Sequence, residues 1–81
     1  MGREPRDFSI WATIVEQAAG KYLVKVSALA IDLHGPREEI IETHLATSRE
    51  EAHAARIRMV RDLCDRLAGY GSRIVDVHVD P

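Results

Sequence analysis

From Phe8 to Gln17 the chain reads FSIWATIVEQ, rich in β-branched and aromatic side chains, with apolar groups on both sides. Such a run predicts a strand that is partly apolar on both faces. AAGK follows, and Gly20 can adopt a positive φ, so a turn is expected there. YLVKVSALAID is the second strand, and the two should form an antiparallel hairpin. LHGPRE interrupts the pattern, with Gly35-Pro36 as punctuation. EIIETHLAT predicts a third strand, shorter and more polar. SREE then marks a helix start. Ser48 can accept from early backbone N–H groups, and Glu51 three residues on completes a capping box. The helix should run to about Ala68, with Gly69 as its C-terminal cap and GYGS as the exit loop. RIVDVHV closes the chain as a strand, with Val75, Val77 and Val79 on one side and Asp76 and His78 on the other.

The order β-β-β-α-β predicts an α+β, two-layer domain: a four-stranded, mostly antiparallel sheet with one long helix on one face. A right-handed crossover through the helix places the fourth strand parallel to the first and gives the order 3-2-1-4. Residues 1–7, charged and holding Pro5, are expected to be a flexible tail, and residues 8–81 a single small domain.

Hairpin register follows from matching faces. With Ile14 opposite Val26, Ile10, Ala12, Ile14, Val24, Val26, Ala28 and Ala30 share the face toward the helix. A shift by one residue would set Lys25 beside Ile14 and mix the faces. The outer face then carries Trp11, with Leu29 nearly opposite, together with Val15 and Lys25. The third strand has Ile41, Thr43 and Leu45 on one side and Ile40, Glu42 and His44 on the other. The outer face so read is apolar in the middle and polar at its rims, as interfaces often are. Trp11, Val15, Lys25, Leu29, Glu42 and His44 are therefore the candidate partner-binding residues. A half-covered Trp needing no partner is the plainer alternative.

On a helical wheel Ala52, Ala55, Met59, Val60, Leu63, Cys64 and Leu67 form one stripe, with Arg56 near its centre and His53 at its border. A bare buried guanidinium is costly. Arg56 must lay its stem on the sheet with its head past an edge, pair with Glu42, Asp32 or a second chain, or bind an anion. Arg61 with Asp65 and Asp62 with Arg66 are spaced as surface pairs.

Composition narrows the function. The 81 residues suit one domain, which buries too small a fraction of its surface to be very stable alone, so dimerisation is a natural remedy. Net charge is −2, and nine of the eleven basic residues are Arg, offset by thirteen acids. No general attraction to nucleic acid or acidic membranes follows. The helix has five Arg against four acids, too even for a DNA-reading surface. The single Cys64 favours a reducing, cytoplasmic setting, and no membrane span or signal peptide is evident.

Catalytic and metal chemistry find little support. His34, His44, His53 and His78 lack metal-ligand spacing, and edge strands would hold His44 and His78 roughly 14 Å apart. Cys64 falls in the apolar stripe, where a thiol is inert packing. Ser27, Ser48 and Ser72 have no nucleophile-elbow context. No cofactor and no enzyme activity are expected.

The order of elements and the segment ETHLATSREEAHAA resemble HicB-like antitoxin domains, which have a partial ribonuclease-H-like fold, and other small bacterial β-β-β-α domains. The Leu-Pro-x-Cys segment typical of HicB-like domains is replaced by LHGPRE, so no functional residues carry over. The expected function is a non-catalytic cytoplasmic binding or regulatory module. It would act through the outer sheet face on a protein partner or a second copy as a homodimer. A small nucleic-acid-binding protein is the alternative.

Overall fold

The structure, a computed structural model, describes residues 5–32 and 35–80. Among them are strands β1 (Asp7–Ala18), β2 (Lys21–Ala30) and β3 (Glu39–Ala46), helix α1 (Arg49–Gly69) and strand β4 (Arg73–Val79). The sheet order is β3-β2-β1-β4. β1–β2 and β2–β3 pair antiparallel and β1–β4 pairs parallel, with α1 carrying the chain across. The expected two-layer α+β architecture and strand order are both present.

The core forms where the apolar stripe of α1 meets the helix-side face of β1 and β2. Phe8, Ile10, Val26, Leu63 and Leu67 are buried in one cluster, and Val24, Ala46, Ala52 and Ala55 in another. Full burial of each large apolar side chain contributes roughly 1.5–3 kcal/mol. Ala12 and Ala28 on the sheet and Ala52 and Ala55 on the helix are fully buried, so small side chains let the two layers approach closely.

The face assignment of the hairpin is correct, but its pairing differs. Ile14 lies opposite Val24, not Val26, and Trp11 lies opposite Ser27, not Leu29. Leu29 instead faces Ser9. A shift of two residues leaves every side chain on its own face, so hydrophobic pattern does not detect it. The turn sets the register. Ala18 pairs with Lys21 across Ala19 and Gly20, and Gln17 is the extra residue of a bulge. Gly20 has φ 75°, as the turn requires.

A second irregularity falls in β4. Phe8 pairs with Ile74 and Ser9 with Asp76, which leaves Val75 unpaired. Ile74, rather than Val75, is thus in phase with Val77 and Val79 and packs on the core.

Both helix ends differ in detail from the expectation. Ser48 caps the N-terminus, accepting from the Glu51 N–H at 3.1 Å. The Glu51 carboxylate does not close the box onto Ser48. It accepts from the Thr47 N–H at 3.2 Å and the Thr47 hydroxyl at 3.0 Å. At the other end Gly69 is still helical. The left-handed residue is Gly71, φ 82°. The Gly71 N–H bonds the Ala68 carbonyl and the Ser72 N–H bonds that of Leu67, the Schellman pattern.

Arg6 and Asp7 are not loose. Arg6 Nη2 lies 3.2 Å from Asp32 Oδ1 and Nη1 lies 3.4 Å from Glu38 Oε1, with the Arg6 and Asp32 side chains only 12% and 10% exposed. The Arg6 N–H donates to the buried Ser72 hydroxyl, and its carbonyl accepts from Arg73. The chain is thus tied down from Arg6 onward, and residues 1–4 of the expected tail lie outside the described residues.

Candidate functional site

Alternation along the strands puts one set of side chains under α1 and the other on the open side of the sheet. Pairing arranges the open side in rows that cross the strands. Glu39, Leu29, Ser9 and Asp76 form one row, and Ile41, Ser27, Trp11 and His78 the next. Thr43, Lys25 and Thr13 follow, then Leu45, Leu23 and Val15. Trp11 is 47% exposed, and Val15, Ile41 and Leu45 are at least half exposed. One row, Leu45, Leu23 and Val15, is wholly apolar, while the Trp11 row is half polar and the row between them, Thr43, Lys25 and Thr13, carries no large apolar side chain, so the expected apolar middle with polar rims is not what forms.

Four of the six sequence-derived candidates, Trp11, Val15, Lys25 and Leu29, lie on this face. Glu42 and His44 do not. They pair with Val26 and Val24 and therefore point to the helix side. Glu42 accepts from Arg66, and His44 Nε2 lies 3.3 Å from Glu51 Oε2. The reason is that β3 is an edge strand. Its helix-side residues meet the polar flank of α1, so the acid and the histidine find partners there. Ile41 and Leu45 are left on the open side, and they replace Glu42 and His44 as members of the face. Arg66 accordingly reaches Glu42 across the layers, in place of the expected pair with Asp62.

β4 contributes Asp76 and His78 to the face, as expected, and with them a contact not foreseen from sequence. Parallel pairing brings His78 beside Trp11, and the rings stack with centroids 4.0 Å apart and planes 17° from parallel. His78 Nε2 is 3.2 Å from Asp76 Oδ1, and the Ser9 hydroxyl donates to the same carboxylate. The Ser9 hydrogen bond holds the Asp76 carboxyl below its ordinary range, and His78 acts in the same sense. The usable signal was the alternation of Asp76 and His78, in phase with Trp11 once β4 is set parallel to β1.

Ser, Asp and His in one cluster invite comparison with a nucleophilic triad. In a triad the histidine sits between serine and acid so that it can take the hydroxyl proton. Here the aspartate sits between, and Ser9 donates to it directly. The arrangement orients His78 beneath Trp11 and gives the Ser9 hydroxyl a carboxylate, not an imidazole, as its acceptor.

Arg56 resolves as a snorkelling side chain. Its guanidinium donates to the Asp80 carbonyl, beyond the end of β4, and lies 3.3 Å from His53 Nδ1. Neither Glu42 nor Asp32, the carboxylates considered for it, is needed, since those residues hold Arg66 and Arg6. Cys64 is half-buried, and desolvation pushes its thiol pKa up, with Asp65 adding to the effect. That is the opposite of an activated thiolate. His44 and His78 occupy opposite edge strands and opposite faces, while His34 lies outside the described residues.

A cleft of about 270 Å³ opens elsewhere, between the hairpin and the first turns of α1, lined by Ile14, Glu16, Tyr22, Arg49 and His53. A second hollow, about 430 Å³, adjoins the outer face beside Leu29 and Ile31. No helix among the described residues is long and apolar enough to cross a membrane. No protein-family model, curated protein or solved structure matches the chain.

Proposed function

We propose that the chain is a non-catalytic cytoplasmic binding or regulatory module that docks a protein partner on its outer sheet face. One observation carries the reading: α1 covers one side of the sheet, and the other side presents Trp11 at 47% exposure on the same face as the half-exposed Val15, Ile41 and Leu45. Large apolar side chains left exposed on one face among polar ones are the mixture found at interaction surfaces. Tryptophan is also the residue most enriched among those that dominate binding energy. The aspartate-centred arrangement around Ser9 supports a role without covalent chemistry. Lys25 is the one base in the middle rows, which is too little to neutralise a phosphate backbone.

The test is capture from the native host with wild type and Trp11→Ala side by side. A protein retained by wild type and lost by the variant is the expected result. Recovery of nucleic acid in place of protein would transfer the role to the alternative class, and equal retention by both would remove Trp11 from the binding surface.

A further inference from the structure

We infer that the occupant of the outer face is a second copy of this chain, packed sheet to sheet about a twofold axis that runs across the strands. The inference rests on the reading of that face as a docking surface and names what docks.

Size comes first. The molecule is 20 Å across, and the nine residues from Asp7 to Val15 span roughly 30 Å of strand. The projected face is therefore roughly 600 Å², and its corrugated accessible area approaches the ~800 Å² per partner of a standard interface. Using the whole face once gives a dimer of ordinary size.

Charge then selects the axis. Sheets packed face to face can be related by a twofold axis along the strands or across them. An axis along the strands, between β1 and β2, keeps each row opposite itself and exchanges the edges. Glu39 would then meet Asp76 of the second copy, carboxylate against carboxylate, because the two end the same row. An axis across the strands at the Trp11 row keeps each strand over its own copy and exchanges the rows on either side. The row of Lys25 then faces the row of Glu39, with the two residues one strand apart. Lys25 lies over Leu29 with Glu39 one strand to its side, Leu23 lies over Ile31, and the Trp11–His78 row packs on itself. Asp76 within β4 and Asp80 just past its end remain opposed, as Glu39 and Asp76 are under the other axis, so what distinguishes the two is the Lys25–Glu39 approach, which only the axis across the strands makes. Lys25 makes no ion pair among the described residues, so it is available to the second copy.

Sedimentation of wild type, Lys25→Glu, Glu39→Lys, an equal mixture of the two, and the double variant tests this. Both side chains are exposed, and circular dichroism checks that each variant folds. Wild type should sediment at twice the 9.1 kDa chain mass. Each single variant should dissociate about tenfold or more readily, because two like-charge contacts replace two opposite ones. The mixture should recover the dimer, since each copy then supplies the charge that the other lacks, and the double variant should recover it alone. Singles that dimerise as well as wild type, or a mixture that stays dissociated, would overturn the inference. A monomeric wild type would overturn it as well. In that case capture decides the fate of the docking reading itself: a foreign protein held by wild type and not by Trp11→Ala keeps the docking face, and equal capture removes it.

Discussion

Trp11 and His78 stack across the parallel β1–β4 pair, with ring centroids 4.0 Å apart. Trp11 is the sole tryptophan, so its fluorescence reports directly on the outer face. His78→Ala should lower unfolding free energy by about 0.5–1.5 kcal/mol, the contribution of an aromatic pair beyond its area. Acrylamide quenching of Trp11 should increase in parallel. An unchanged quenching constant would mean that the rings do not stack in solution.

The helix–sheet core should dominate stability. Leu63 is fully buried, and Leu63→Ala should cost about 2–5 kcal/mol in urea denaturation. Ile57, on the exposed side of the same helix, should change stability by less than about 0.5 kcal/mol when cut to Ala. Similar costs at the two sites would place the helix in a different rotation.

The Arg6 cluster should matter more than its position near the N-terminus implies. Arg6→Ala removes the charged hydrogen bonds to the partly buried Asp32 and Glu38 and should cost about 1.5–3 kcal/mol. Arg66→Ala removes an exposed partner of Glu42 and should cost about 0–1 kcal/mol. Thermal unfolding of the two variants at equal salt compares them.

Two carboxylates give stability a pH dependence of known sign. The Thr47 N–H holds the Glu51 carboxyl below its ordinary value of 4.5, with His44 and the Thr47 hydroxyl helping. The Ser9 hydroxyl does the same for Asp76, whose ordinary value is 3.8. A folded-state value below the unfolded one stabilises the fold above the unfolded value, and the contribution is lost as pH falls through the folded value. Stability from both should be complete at neutral pH and decline below these ordinary values. Glu51→Gln should flatten that decline in denaturation curves taken on the acid side, with little change in its slope near neutrality.

Much of the architecture was legible because alternation and capping are local. Phe8 to Ala30 fixed which side chains share a face, and Ser48 fixed where the helix begins. The hairpin pairing was not, because moving Val26 for Val24 opposite Ile14 preserves parity, and the choice depends on the bulge at Gln17. The orientation of β3 was misread for a related reason. Glu42 and His44 resemble solvent-facing residues, and only the reach of Arg66 and Glu51 from α1 makes the helix side of an edge strand hospitable to them. The expected parallel β1–β4 pair put His78 on the face, but its stacking on Trp11, 67 positions away, depends on the β1–β4 register, which the bulge at Val75 sets.

We propose that the outer sheet face, and not the exposed side of the helix, is where this protein binds. Ile41 and Ile57 allow the most direct test, since they are 50% and 61% exposed and lie on opposite sides of the molecule. A photo-crosslinking residue placed at each position in turn, in the native host, should give protein adducts from position 41 and none from position 57. Adducts from position 57 alone, or equal adducts from both, would contradict the claim.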